Sequence, residues 1–426
     1  MSGANSRRAA ADLLIEVLER RRTLDDALLA SKAYDALEGP DRGFARAMAS
    51  AALRHLGIID RGLQSFLNRP LESANPEARA LLRIGAAQIW CLDTPNHAAV
   101  GETVEAAKNW GKAGRATGLI NAVLRKLGGA GHLFKDAEDT QIWPDWLKRA
   151  FIDSLGAERT ARLASAQRHQ PHLHLTLKSG KPEVFTGKVA GSFVHKGQLA
   201  LEGGQVETLP GFDSGDWWVQ DAAAALPARL MNAGPDDTVV DMCAAPGGKT
   251  MQLAATGANV VAIDRSAKRL ERVRENLRRT GLEERVDIIA GRGEDFDLGN
   301  PASHILLDAP CSALGTLRRH PEGAWIKRPK EIAGYPEIQA ALLNAAIRIS
   351  SPGGLIVYCV CSPLRAEGRD VVAGAIQSGG VERSPIEASE VPGFEPSITL
   401  NGDLLTVPDS ADAQHDAFYI SRLRVL

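Results

Sequence analysis

A chain of 426 residues, 44% of them hydrophobic and 24% charged, is too apolar to stay disordered and, at ~100–200 residues per domain, builds two to four cores. Its five cysteines are an odd set for a secreted disulfide scaffold, and the formal net charge of −2 does not advertise a nucleic-acid binder, so the distribution of charge decides. The opening Met1–Arg8 lacks the apolar stretch of a signal peptide and no run reaches membrane-spanning length, so a soluble, cytoplasmic protein with no membrane partner is expected.

Over residues 1–137 the apolar positions keep helical spacing. Ala10, Leu13, Leu14, Val17 and Leu18 fall at i, i+3, i+4, i+7 and i+8, which is one buried helix face. The same patterning returns over residues 24–29, 42–67, 77–91, 98–108 and 117–127, and hardly a strand candidate precedes residue 170. Cys91 reads as core, and His97 as a capping or core histidine. Residues 1–135 carry 19 Lys/Arg against 14 Asp/Glu, a balance of 19 − 14 = +5 that leaves −7 for the rest. That modest basic excess is where RNA docking is expected.

Residues 138–217 are less readable. His172–Leu177 alternates like a strand, Lys178–Pro182 reads as a turn, Ser192–Val194 as a short strand, and few others follow. His172 and His174 have no acidic or sulfur neighbour in sequence and read as exposed strand histidines, not metal ligands; no metal is expected. Ala222–Ala225 reads as helix.

From residue 218 the pattern becomes that of an α/β catalytic domain. Thr238–Val240 ends a buried strand, Pro246-Gly247-Gly248 turns, and Lys249–Ala255 starts a helix. The loop Asp241-Met242-Cys243-Ala244-Ala245-Pro246-Gly247-Gly248-Lys249-Thr250 therefore sits where backbone N–H groups can face a cofactor and glycines allow its close approach. Gly248-Lys249-Thr250 imitates a phosphate-binding P-loop, but Cys243 stands where that motif needs glycine, and no Gly-x-Gly-x-x-Gly is present. A second strand, Asn259–Ile263, ends on Asp264, twenty-three residues after Asp241. A carboxylate there suits a ribose diol, and a ribose without a pyrophosphate cradle points to S-adenosylmethionine; the bland reading of Asp264 is a cap for the helix from Ser266.

Two further apolar strands run straight into sulfur: Ile305–Ser312, with Asp308 and Cys311, and Leu355–Ser362, with Cys359 and Cys361. Ligands of an open α/β sheet bind at the carboxyl ends of its strands, so these residues are expected to converge on the cofactor loop. A thiol in place of an aromatic after Asp308-Ala309-Pro310 points to carbon methylation. Carbon 5 of a pyrimidine becomes nucleophilic only after a thiolate adds to carbon 6, and Asp308 at N3 and the exocyclic amine would stabilise the charge. Spacing alone leaves open whether Cys311 or Cys361 attacks. Cys359 reads as a buried apolar side chain, and Cys243 as a loop residue whose backbone matters more than its sulfur. Arg318, Arg319, Lys327, Arg328 and Lys330, with His320 and Trp325 among them, read either as a phosphate-holding patch or as an ordinary solvated face.

The chain resembles the Fmu/Sun family of RNA 5-methylcytosine methyltransferases through Cys243–Lys249, Asp308–Ser312 and Cys361-Ser362. The likeness extends to Val219–Asp221, Arg318–Pro321 and His415–Tyr419. The resemblance implies that Cys361 is the nucleophile, that Cys311 assists release, and that Lys249 and Asp308 work at the target base. It implies an S-adenosylmethionine site formed by Cys243, Ala244, Ala245, Pro246, Gly247, Gly248, Lys249, Asp264 and Asp308. It also implies a NusB-like helical domain over 1–137, supported by Pro95–His97 and Asn121–Lys126, then a small, here reduced, α/β subdomain over 138–217 and a Rossmann-like methyltransferase domain over 218–426. The helical domain and full motif set are most like the bacterial small-subunit enzymes, so the implied partner is 16S rRNA. The alternatives are a transfer RNA substrate or a non-catalytic assembly factor on the same fold. Three positions depart from the family pattern: Arg292 where an acidic residue near adenine is usual, Val360 for Thr and Ala417 for Gly.

Overall fold

The computed structural model describes residues 3–108, 110–179, 192–195 (backbone only), 197–201, 206–409, 413 and 415–426. They form two compact units, one of Met1–His169 with Leu317–Arg328, the other of Gln170–Thr316 with Pro329–Leu426. Among the described residues no helix is long and apolar enough to cross a membrane.

The first unit is helical, as its 3.6-residue periodicity requires. Gly3–Leu18, Gly39–Arg54, Pro76–Cys91, Asn96–Lys108 and Thr117–Gly128 turn their apolar stripes onto one core that includes Leu13, Leu14, Met48, Leu81 and Leu124. Pro76–Cys91 starts sharply because Asn75 accepts from the Ala78 amide at 2.8 Å and Pro76 lacks only an N–H that would be orphaned. The pattern over residues 42–67 is broken at His55 into Gly39–Arg54 and Leu56–Gln64. Cys91 is half-buried against this core, and His97 is exposed, neither a cap nor core. The stretch Leu317–Arg328 packs here too. Arg21 Nε donates to the Ile326 carbonyl at 2.9 Å, and the buried Glu322 accepts from the Leu24 amide at 3.2 Å. Arg318, placed by sequence on a basic surface, is 2% exposed, because its segment serves as packing for the helices.

The second unit holds two sheets. A four-stranded antiparallel sheet has the order β2-β3-β1-β4, with β1 Leu173–Leu177, β2 Ser192–His195, β3 Gln198–Leu201 and β4 Trp217–Val219. It has more strands than the sequence suggests, since β3 is buried along its whole length and shows no alternation. Of the expected turn over Lys178–Pro182, residues 180–182 lie outside the described residues. His174, expected to be exposed, is 1% exposed, with Nδ1 3.3 Å from an Asp221 carboxylate oxygen, because β1 is covered on both faces. Ala222–Ala225 forms successive turns leading into a helix at Leu226, drawn tight by Asp221, which accepts from the Ala223 amide at 2.9 Å.

The large sheet contains β5 Thr238–Met242, β6 Asn259–Asp264, β7 Val286–Ala290, β8 Ala302–Asp308, β9 Ser350–Val360, β10 Val381–Arg383, β11 Leu404–Thr406 and β12 Phe418–Val425. Its order is β10-β12-β9-β8-β5-β6-β7, with β11 on β12. Strands β5 to β9 are parallel and β12 runs antiparallel to β9. Both faces are covered at β5, β6, β8 and the end of β9, which is why these strands read as continuous apolar runs, whereas β7 at the edge is largely exposed. Val239, Leu306, Val357 and Cys359 pack on one face with Leu270, Val273 and Leu277; Val240, Ile305, Leu307, Ile356 and Tyr358 pack on the other with Leu342 and Leu343. Strand order reverses about β5, so the crevice at the carboxyl ends of β5 and β8 is the place for a ligand.

Candidate active site

The loop leaving β5 is shaped by backbone. Cys243 has φ 65° and Gly247 φ 103°, both left-handed, and a Cβ on Gly247 would also press on Val273 at 3.1 Å. The Ala244 amide bonds to the Ile263 carbonyl at 2.9 Å and the Gly247 amide to the Ala244 carbonyl at 2.8 Å, after which the helix Gly248–Ala255 begins. Burial, reinforced by Asp308 and Asp264, pushes the Cys243 thiol up to about 12, so its sulfur is an inert neutral group.

Asp264, at the end of β6, is 3% exposed and ties this loop to the next helix. It accepts from Ala245 N at 3.2 Å, Ser266 N at 2.9 Å and Arg269 Nη1 at 3.2 Å. The helix Ala267–Thr280 is itself capped by Ser266, whose side chain accepts from Arg269 N, so Asp264 is more than a cap. A carboxylate offers about four acceptor positions. A ribose diol would take the remaining one and displace Arg269, whose side chain is 55% exposed.

Asp241, which the sequence reading passed over as a ligand, supplies a direct test of fit. It is fully buried, Oδ2 accepts from Thr250 Oγ1 at 2.6 Å, and Oδ1 has no hydrogen-bond partner among the described residues. Burial, partly offset by Thr250, pushes its carboxyl up to about 7. An orphaned carboxylate oxygen beside a glycine turn calls for a cationic group, which the methionine end of S-adenosylmethionine carries. The donors and acceptors of Asp241, Gly247-Gly248 and Asp264 fit that cofactor.

The other wall comes from β8 and β9. Asp308 is in register with Cys359, and Lys249 reaches across from the cofactor helix to donate to Asp308 Oδ2 at 2.7 Å. Burial alone would lower the Lys249 pKa, but the charge and hydrogen bond of Asp308 together with Cys359 and Cys361 outweigh it, so the ammonium is held above its ordinary range. Lys249 Nζ also lies 5.5 Å from the centre of the Phe418 ring, delivered by β12. Cys359 is buried as expected, though its thiol is 3.5 Å from Asp308 Oδ1 and so also serves as a donor.

Beyond these strand ends Cys311 and Cys361 meet with their sulfurs 3.3 Å apart. Cys361 packs with one face of the sheet and Cys311 with the other, so two residues fifty apart in sequence converge over the sheet's carboxyl edge. Gly315 makes room: its amide donates to the Cys361 carbonyl at 3.0 Å and its carbonyl accepts from Ala417 N at 3.0 Å. A Cβ there would stand 1.9 Å from the Ala417 carbonyl oxygen. Hydrogen bonding to Cys361, then burial and the charge of Glu367, raise the Cys311 thiol well above the ordinary range. All the candidate residues of the loop, Asp264, Lys249, Asp308, Cys311 and Cys361 thus line contiguous strand ends. Arg292 does not join them; it is exposed, with Nε 3.4 Å from Asp295 and 3.8 Å from Glu294. Glu367, which binds both cysteine loops, carried no sequence signal, because Ser312 and Gln339 are distant in the chain and a glutamate five residues after Ser362 marks nothing by itself.

A doubly wound sheet with a glycine turn at its switch point and an acidic residue ending the next strand defines a Rossmann-like methyltransferase domain. The sequence model for "16S rRNA methyltransferase RsmB/F" matches residues 228–424, and that for the NusB family matches residues 4–128. Ribosomal RNA small subunit methyltransferase B of Pseudomonas putida is 34% identical over 98% of both chains, and its namesake in Vibrio vulnificus is 31% identical over 92% of this chain and 96% of its own. The chain belongs to the RsmB/F family of S-adenosylmethionine-dependent methyltransferases and carries its NusB-type helical domain. Among solved structures, PH0851 shares the fold over 99% of both chains (TM-score 0.75, 20% identity). NSun6 from Pyrococcus horikoshii with SFG shares it over 66% of this chain and 98% of its own (TM-score 0.57, 21% identity).

Proposed function

We propose that this protein methylates carbon 5 of a cytosine in RNA, with 16S rRNA as substrate, through a covalent bond between Cys361 and carbon 6. The observation that carries this reading is the 3.3 Å approach of Cys311 and Cys361 beside the Lys249–Asp308 pair. S-adenosylmethionine, when bound along Asp241, Gly247-Gly248 and Asp264, supplies an electrophilic methyl group. The Cys361 thiolate adds to carbon 6, and the electron pair of the 5,6 double bond becomes available at carbon 5. Asp308 accepts from the exocyclic amine, held in place by the Lys249 ammonium, and the pair stabilises charge as it moves through the ring. Once carbon 5 has bonded the methyl, a solvent water takes the carbon-5 proton, the C–H electron pair re-forms the 5,6 double bond, and the carbon 6–sulfur bond breaks to return Cys361 as thiolate. Cys311, kept as a neutral thiol by its surroundings and 3.3 Å from the Cys361 sulfur, can donate to that sulfur as it departs, which suits it to the second step and not the first. Within this reading residues 1–137 dock the RNA, 138–217 link, and 218–426 catalyse. The target base must leave its stack to reach thiols at a strand end.

Nucleophile and release residue fail differently. Cys361→Ala should give neither product nor adduct, whereas Cys311→Ala should hold enzyme on labelled RNA as a denaturation-resistant complex when S-adenosylmethionine is added. A shifted band with Cys361→Ala and none with Cys311→Ala would reverse the roles. Bisulfite sequencing of RNA from a deletion strain identifies the cytosine.

A further inference from the structure

Glu367 lies in the turn between Cys361 and the helix Arg369–Gln377 and is 1% exposed. Its Oε1 accepts from Ser312 Oγ at 2.5 Å and Ser362 Oγ at 2.8 Å; its Oε2 accepts from Ser312 N at 2.7 Å and Gln339 Nε2 at 3.3 Å. Its carbonyl accepts from Tyr358 OH at 2.6 Å. Gln339 Nε2 in turn donates to the Pro310 carbonyl at 2.9 Å, and the two serine hydroxyls are 3.2 Å apart. One side chain therefore grips the residue that follows each cysteine and, through Gln339, the residue that precedes Cys311. Four neutral groups converge on it: two N–H donors at Oε2, which can only donate, and two serine hydroxyls at Oε1, and a carboxylate accepts from all four at once. An amide of the same shape keeps these contacts only by turning its NH2 to the serines and reversing both hydroxyls to accept, and it loses the charged acceptor.

We propose that Glu367 is a positioning residue that holds the Cys311 and Cys361 loops in register for the two steps of the reaction. The proposal rests on the cytosine-5 reading for what the register serves, but not for its geometry. The negative charge also contributes to keeping Cys311 protonated, which matches a thiol that acts after its neighbour. Ser312 carries the grip on the release side and Ser362 the grip on the attack side, so the two serines should separate the steps while Glu367 governs both.

The test uses the full-length protein and two readouts. Diamide converts two neighbouring thiols to a disulfide: two S–H bonds break, one S–S bond forms, and diamide takes up both hydrogens. The rate of Cys311–Cys361 closure, followed by peptide mass spectrometry and compared at equal thiolate fraction from its pH dependence, reports register without any RNA. Glu367→Gln should slow closure about tenfold, the scale of losing hydrogen bonds to a charged acceptor. Ser312→Ala and Ser362→Ala should each slow it by a smaller factor. In single turnover with RNA and S-adenosylmethionine, Ser362→Ala should slow adduct formation, and Ser312→Ala should let adduct accumulate. Closure at the wild-type rate in a cooperatively folded Glu367→Gln protein overturns the proposal. Where that variant does not fold, unchanged closure in both serine variants overturns it and slowed closure in both sustains it. Slowed closure in the variants, with no RNA adduct from wild type or Cys311→Ala, would sustain the positioning role and sink the cytosine-5 reading instead.

Discussion

At the scale of single residues the site is a set of charges that depend on one another. The Lys249 side chain is 10% exposed and that of Asp308 31%, so removing the carboxylate strands an ammonium in a poorly solvated place. Breaking such a pair costs roughly 3–5 kcal/mol, while replacing both partners with apolar groups costs far less. Asp308→Ala should therefore lower stability by about 3 kcal/mol, and Lys249→Met added to it should restore most of the loss. Denaturant titration reads the stability; methyl transfer should be absent from both proteins. Asp241 gives a pH signature. Its carboxyl is raised to about 7, so the folded protein binds a proton there that the unfolded chain releases near the ordinary carboxylate range. Between those values this group's contribution to the stability of the free protein falls as pH rises. Binding a cation at Oδ1 requires the carboxylate, so affinity for S-adenosylmethionine should climb as pH rises toward about 7 and level off above it, with a proton released on binding. Calorimetry in buffers of different ionisation enthalpy checks this, and Asp241→Asn should bind more weakly with the pH dependence flattened.

At the scale of elements, the meeting of the cysteine loops depends on a residue without a side chain. Gly315→Ala must push the loop off the Ala417 carbonyl or off Cys361, an overpacking that costs roughly 1–3 kcal/mol. Thermal unfolding should show the loss, and methylation should fall further than stability accounts for, because the displaced strand end carries Cys361, the proposed nucleophile. Which elements were legible in the sequence follows from where their information lies. The cofactor loop could be read because strand, turn and helix start occupy one continuous stretch, and β5, β6, β8 and β9 because sheets covered on both faces leave unbroken apolar runs. β3 and β4 could not, being short and without alternation. The polar cluster on Glu367 was hidden for a different reason: Ser312, Gln339 and Ser362 become neighbours only after the sheet has ordered its strands. Arg318 misled because charge alone does not tell a phosphate ligand from a side chain spent on packing.

At the scale of the molecule, the segment Leu317–Arg328 departs from the catalytic sequence to pack within the helical unit. Deleting residues 1–137 would strip Glu322 and Ile326 of their partners Leu24 and Arg21, so truncation confounds RNA docking with folding. Charge reversal avoids that. Lys112 and Arg115 are exposed in the helical unit, and Lys112→Glu with Arg115→Glu should weaken rRNA binding at low salt while leaving thermal stability and cofactor binding intact. If both touch phosphates, the slope of log affinity against log salt should shrink by roughly 2. Unchanged slope and affinity in a filter-binding assay would remove these two from the docking surface.

The antiparallel pairing of β12 with β9 has a consequence for how the protein is made. On the ribosome, β9 and its thiol emerge roughly sixty residues before β12, about 3–12 s at usual elongation rates. Through that interval β9 has an open apolar edge, the kind that recruits foreign strands, and neither Ala417 nor Phe418 is present to close the crevice. Competence for chemistry thus waits on β12, the strand that both covers the open edge of β9 and brings Phe418 to the reactive cleft.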